Sequence, residues 1–130
     1  MNDDIVRKET NQRLSRIVIH GDTVYVAGVT SSAAGGIAAQ TRDALAKIDG
    51  YLAQAGTDKS RLLTVQIWLA DIDRDFAGMN GVWAEWALPD AMPTRATCEA
   101  KLAAPELLVE IIVTAAKRWS GYVSGPVSES

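Results

Sequence analysis

The apolar positions of this chain switch between two periods, and the switches divide it into strands and helices. Ile17-Val18-Ile19-His20 and the segment 23–28 flank Gly21-Asp22, which predicts a hairpin closed by a two-residue turn. Ser31 to Gly36 is small and flexible in composition and predicts a loop. From residue 37 to 53 the period lengthens: Ile37, Thr41, Ala44, Leu45, Ile48 and Leu52 fall on one helical stripe, with Gly56 as the stop. Alternation returns at 61–70, where Leu63, Val65, Ile67 and Leu69 make one face and Leu62, Thr64, Gln66 and Trp68 the other. A second helix follows, with Asp73 as its expected N-cap and Phe76, Met79, Trp83 and Trp86 at helical spacing. Pro89 and Pro93 end it, and two strands close the pattern: TRATCEAKL, a turn at 103–106, and LLVEIIVTAA.

This order predicts an α+β fold, a single domain whose sheet carries both helices on the face of Leu63, Val65, Ile67 and Leu69. The opposite face keeps Tyr25, Leu62 and Trp68 among Thr64 and Gln66, a mixed surface that points to subunit contact. Residues 1–13 are expected to be a flexible N-terminal segment, frayed over the charged first ten; residues 14–118 form the domain. The Ser/Gly/Pro-rich 119–130 is expected to be a flexible tail.

Composition narrows the function classes. A chain of 130 residues, 48% hydrophobic and 22% charged, suits one globular domain. A net charge of −3 and scattered basic residues argue against a phosphate-binding surface, so no nucleic-acid partner is expected. The first ten residues lack the apolar core of a signal peptide, and no run approaches the ~20 apolar residues of a membrane span. The single cysteine, Cys98, fits a reducing compartment. A soluble, cytoplasmic protein with no membrane partner is the expectation. One histidine, His20, beside a Gly-Asp turn, and one cysteine at an unrelated position make no zinc site. No phosphate-cradling glycine motif occurs.

The candidate chemistry sits in the last two strands. Glu110 lies in a strand with three apolar residues on each side, the pattern of a strand covered on both faces, where a lone carboxylate is costly. If the two strands pair as a hairpin about 103–106, Arg95, Thr97, Glu99 and Glu110 share one sheet face. A guanidinium and a carboxylate would then look into one space with room for a small molecule. Cys98 is out of phase with Arg95, which marks it as a small buried residue and not a nucleophile.

Pro93-Thr94-Arg95, followed fifteen residues after its arginine by Val109-Glu110-Ile111, resembles the signature of the RidA/YjgF family. The likeness extends to VYVAGVT, the helix ending at Ala55-Gly56, RLLTVQIWLAD and DFAGMNGVWAEW, in the family's order over about residues 14–117. It implies a homotrimer whose sheets form a central β-barrel with three clefts between subunits. It also implies hydrolysis of reactive 2-imino acids and their enamine tautomers to 2-keto acids and ammonia, with no cofactor or metal.

Carried onto this chain residue by residue, the resemblance makes Arg95 the holder of the substrate carboxylate and Glu110 the residue that orients the water. Thr97 stands where the best-known members have a cysteine whose backbone carbonyl helps hold that water. Ala27-Gly28 stands for a Ser-Gly whose amide touches the ligand, and Asn80 for an asparagine near the cleft mouth. Leu14 replaces an aromatic residue over the cleft, implying a differently shaped pocket. The alternatives kept open are a non-catalytic small-carboxylate-binding module, an endoribonuclease and a chaperone.

Overall fold

The computed structural model describes residues 4–118, so the tail expected over 119–130 lies outside the described residues. Gly21, at a φ of 61°, lets β2 (Ser15–His20) return as β3 (Thr23–Val29) with His20 opposite Thr23, the two-residue turn expected. Helix α1 (Gly36–Gln54) buries Thr41, Ala44, Leu45, Ile48 and Leu52, and Gly56 beyond it takes a φ of 78°. Then come β4 (Leu62–Leu69), α2 (Ile72–Trp86), β5 (Thr94–Glu99) and β6 (Val109–Ala116).

Both helices lie on one face of a six-stranded sheet, which confirms the α+β reading. Ile17, Val24, Val65, Ile67, Ile111 and Val113 supply the sheet side of the core and are at most 1% exposed. A large aliphatic side chain at such a site is worth about 2–5 kcal/mol against alanine. Among the described residues no helix is long and apolar enough to cross a membrane.

Several expectations are corrected. Residues 5–10 are not frayed: Ile5–Thr10 forms strand β1, paired antiparallel with β2. Helix α2 is capped two residues early, where Asp71 accepts from the Arg74 N–H at 3.1 Å; its buried positions are Asp75, Met79, Val82 and Trp83, and Phe76 is exposed. In β4 the core takes Leu62, and Leu63 points out, because the register with β6 slips between Leu62 and Thr64.

The largest correction concerns sheet order, which is β1-β2-β3-β6-β4-β5. The last two strands are not a hairpin; β4 lies between them, parallel to β5 and antiparallel to β6. A parallel pair needs a crossover, and α2 supplies one from β4 to β5. The segment between β5 and β6 spans the end of β4 instead of turning tightly. Ala100 N–H donates to the Leu69 carbonyl at 2.9 Å, and Ala70 N–H to the Leu108 carbonyl at 3.0 Å.

Candidate functional site

Sheet register decides which side each candidate faces. Arg95 lies beside Val65, Thr97 beside Ile67 and Glu99 beside Leu69, so these three share the helix face with the core. Glu110 lies beside Trp68, and Trp68 beside Cys98, on the opposite face. The expectation that Arg95 and Glu110 share a face is therefore wrong for a single chain. One sheet separates the guanidinium from the carboxylate.

Arg95 is half-buried under α2. Its Nη1 lies 4.0 Å from Met79 Sδ, and its guanidinium carbon 5.6 Å from the centre of the Trp83 ring. Met79 and Trp83 are four residues apart on the buried stripe of α2, which is why both reach it. Burial pushes the Arg95 pKa below the ordinary guanidinium value. No carboxylate among the described residues pairs with it. A partly desolvated cation against an aromatic ring, without a counter-ion, is arranged to receive an anion. Two residues along, the Thr97 hydroxyl oxygen is buried and lacks a hydrogen-bond partner among the described residues. Glu99 is already engaged, its Oε1 accepting from the Ile72 N–H at 3.1 Å. Asn80 follows Met79 on α2 and is half-buried, with no hydrogen bond tying it to Arg95.

The other half-site forms around Glu110. Its carboxylate has no hydrogen bond or ion pair among the described residues. It packs so closely over Gly28 that a Cβ there would lie 2.0 Å from Glu110 Oε2. Gly28 does not have a positive φ, so the glycine is required for space and not for backbone conformation. The β3–β6 register shifts between Val26 and Val29, leaving Ala27 and Gly28 in a bulge outside the regular ladder. Leu14 is exposed just before β2, in a turn where Asn11 Oδ1 accepts from the N–H groups of Arg13 and Leu14 at 2.7 and 3.0 Å. Cys98 is exposed in this chain, not buried as expected, and lies on the Glu110 side two strands away.

The structure thus gathers two half-sites, Arg95 with Thr97 on one face and Glu110 with Gly28 and Ala27 on the other. Met79 and Trp83, which cradle Arg95, carry only the signal of an apolar helical stripe in sequence. Among the described residues no three His, Cys, Asp or Glu side chains gather as a metal site.

The profile of the family described as "Endoribonuclease L-PSP" matches residues 5–117. A RutC family protein of Haemophilus ducreyi is 41% identical over 113 residues, covering 86% of this chain and 96% of that protein. The RutC family protein YoaB of Escherichia coli is 40% identical over 112 residues, covering 86% and 97%. The crystal structure of a YjgF family member from Neisseria meningitidis superposes with a TM-score of 0.88 at 41% identity, covering 91% of this chain and 98% of that one.

Proposed function

This chain belongs to the L-PSP family that holds the YjgF and RutC proteins, and from that premise we propose that it hydrolyses reactive 2-imino acids, or their enamine tautomers, to 2-keto acids and ammonia. The observation that carries the reading is the pair of unpartnered charges: Arg95 against Trp83 and Met79, and Glu110 against Gly28. Because the two lie on opposite faces of one sheet, a working cleft takes them from different subunits. A homotrimer closed through the open sheet face, where Tyr25 and Leu63 are each 46% exposed, supplies three such clefts.

In each cleft Arg95 grips the substrate carboxylate in two-pronged fashion, helped by the Gly28 amide of the partner subunit. Asn80 flanks the cleft mouth, and Leu14 covers it with less bulk than an aromatic ring. A water lies between Glu110 and the Thr97 backbone. With the substrate bound as its iminium, the water attacks the imine carbon and gives one proton to Glu110, forming a neutral carbinolamine. Glu110 returns that proton to nitrogen, and as the carbon–nitrogen bond breaks the hydroxyl proton passes to the departing ammonia, leaving the keto acid and ammonium. Water adds and ammonia leaves, so the reaction needs no redox partner. Imines hydrolyse spontaneously, and positioning with proton transfer accounts for the acceleration required. The family description names an endoribonuclease, but a net charge of −3 with scattered basic residues gives that activity no support here.

Ammonia release from imines generated by an amino-acid oxidase, read beside calorimetry with 2-ketobutyrate, tests this reading. Arg95→Ala should lose both hydrolysis and binding, at a cost in binding of about 2–5 kcal/mol, and Arg95→Lys should recover part. Glu110→Gln should keep binding and lose turnover. Normal ammonia release by Arg95→Ala would remove the basis of the site.

A further inference from the structure

The bulge that brings Gly28 against Glu110 has an anchor of its own. Ala27 and Gly28 lie outside the regular ladder, so their carbonyls need donors from elsewhere. One guanidinium provides them: Arg16 Nη2 donates to the Gly28 carbonyl at 2.9 Å and to the Ala27 carbonyl at 3.2 Å. The same guanidinium lies 5.2 Å from the centre of the Tyr51 ring of α1. Two further residues of that helix continue the grip along the chain. Lys47 Nζ donates to the Thr30 carbonyl at 3.2 Å, and Asp43 accepts from the Ser31 hydroxyl at 2.6 Å. Asp43, Lys47 and Tyr51 are spaced by four and form one stripe of α1. The Ser31 hydrogen bond, with Lys47 beside it, holds the Asp43 carboxyl below its usual range against the opposing effect of burial.

We propose that Arg16 is a positioning residue, which sets the bulge at Ala27-Gly28 and thereby the place of the Gly28 amide and the Glu110 carboxylate. Its effect on rate rests on the function proposed above; its effect on geometry does not. A hydrogen bond from a charged donor to a backbone carbonyl fixes direction as well as distance, and here one falls on the residue that has no room for a Cβ and the other on the residue before it. The aromatic ring of Tyr51 limits how the guanidinium can turn. Nothing in the order of residues reveals this, because Arg16 reads as an ordinary strand arginine.

Arg16→Met removes the donors and keeps the stem, and Arg16→Lys keeps a single donor group. Arg61→Met is the matched control, since Arg61 also donates to a carbonyl, that of Lys117 at 3.3 Å, away from both half-sites. Two readouts apply: the Gly28 amide and Glu110 carboxyl resonances, and kcat and KM for imine hydrolysis. Arg16→Met should shift both resonances and lower kcat/KM roughly ten- to hundredfold, the range for losing hydrogen bonds to a charged group. Arg16→Lys should restore part of each, and Arg61→Met should alter neither, even if its thermal midpoint falls as far. Lys47→Met, an exposed change that leaves Arg16 in place, should move the Gly28 resonance the same way by less. Unmoved Gly28 and Glu110 resonances in both Arg16→Met and Lys47→Met overturn the inference whatever the activity. Resonances that shift in Arg16→Met, when the unmodified protein itself lacks hydrolase activity, would uphold it while refuting the proposed function. Equal losses in Arg16→Met and Arg61→Met would reduce Arg16 to a structural residue.

Discussion

Gly28→Ala is the most informative single change, because its consequence can be worked from one contact. The added Cβ would lie 2.0 Å from Glu110 Oε2 and 2.9 Å from its Cδ, whereas ordinary contact begins near 3.4 Å, so the carboxylate oxygen must retreat by about 1.4 Å. The atoms struck belong to the end of a flexible side chain, so they yield without unfolding the sheet. The backbone accepts alanine, since Gly28 has no positive φ, and the unfolded chain loses freedom worth about 0.4–1 kcal/mol in favour of folding. The thermal midpoint should therefore stay within about 4 °C of the parent, while a displacement of that size costs turnover on the order of a hundredfold. The oxidase-coupled ammonia assay gives the rate, calorimetry the affinity for 2-ketobutyrate and differential scanning calorimetry the midpoint. Binding should suffer much less than turnover, because Arg95 is untouched. Parental turnover in a folded Gly28→Ala protein would refute the claim that the position of Glu110 matters to the reaction.

Two further outcomes follow from the sheet register. Cys98→Ala should keep turnover within a few-fold, because Cys98 faces away from Arg95 and lies two strands from Glu110, about 10 Å at ordinary strand spacing; a collapse of activity in a folded protein would place the thiol in the reaction. Trp68→Glu puts a charge on the open face between Glu110 and Cys98, and light scattering should show a lighter species than the parent; a parent that is itself a stable monomer would remove the shared cleft.

Local features were legible in the sequence and non-local ones were not. Gly21-Asp22 between two β-rich runs announces its hairpin, and the stripe from Thr41 to Leu52 announces α1, because turn chemistry and periodicity act over a few residues. Strand order depends on where a crossover lands. The chain from Arg95 to Glu110 reads as a hairpin until α2 is seen to carry β5 to the far side of β4. The same blindness put Leu63 in the core, since a slip of one residue in register exchanges faces and leaves no mark in composition. Asp71 and Asp73 are equally good caps by residue type, and only the bond to the Arg74 N–H decides between them. Of the site, Arg95 and Glu110 stood out by pattern and by resemblance. Their separation across the sheet and the cradle of Met79 and Trp83 required coordinates.

The central claim is that each cleft joins Arg95 of one subunit to Glu110 of another, and mixing two inactive variants tests it most directly. Arg95→Ala and Glu110→Gln, each inactive alone, are unfolded together in equal amounts, refolded and assayed for ammonia release. In randomly mixed trimers a cleft is intact when its arginine comes from the Glu110→Gln chain and its glutamate from the Arg95→Ala chain. Each choice falls the right way about half the time, so recovery should approach roughly one quarter of the parental activity. Recovery near that level is the predicted result. No recovery from the refolded mixture, with the unmodified protein regaining its activity after the same treatment, would contradict a site shared between subunits.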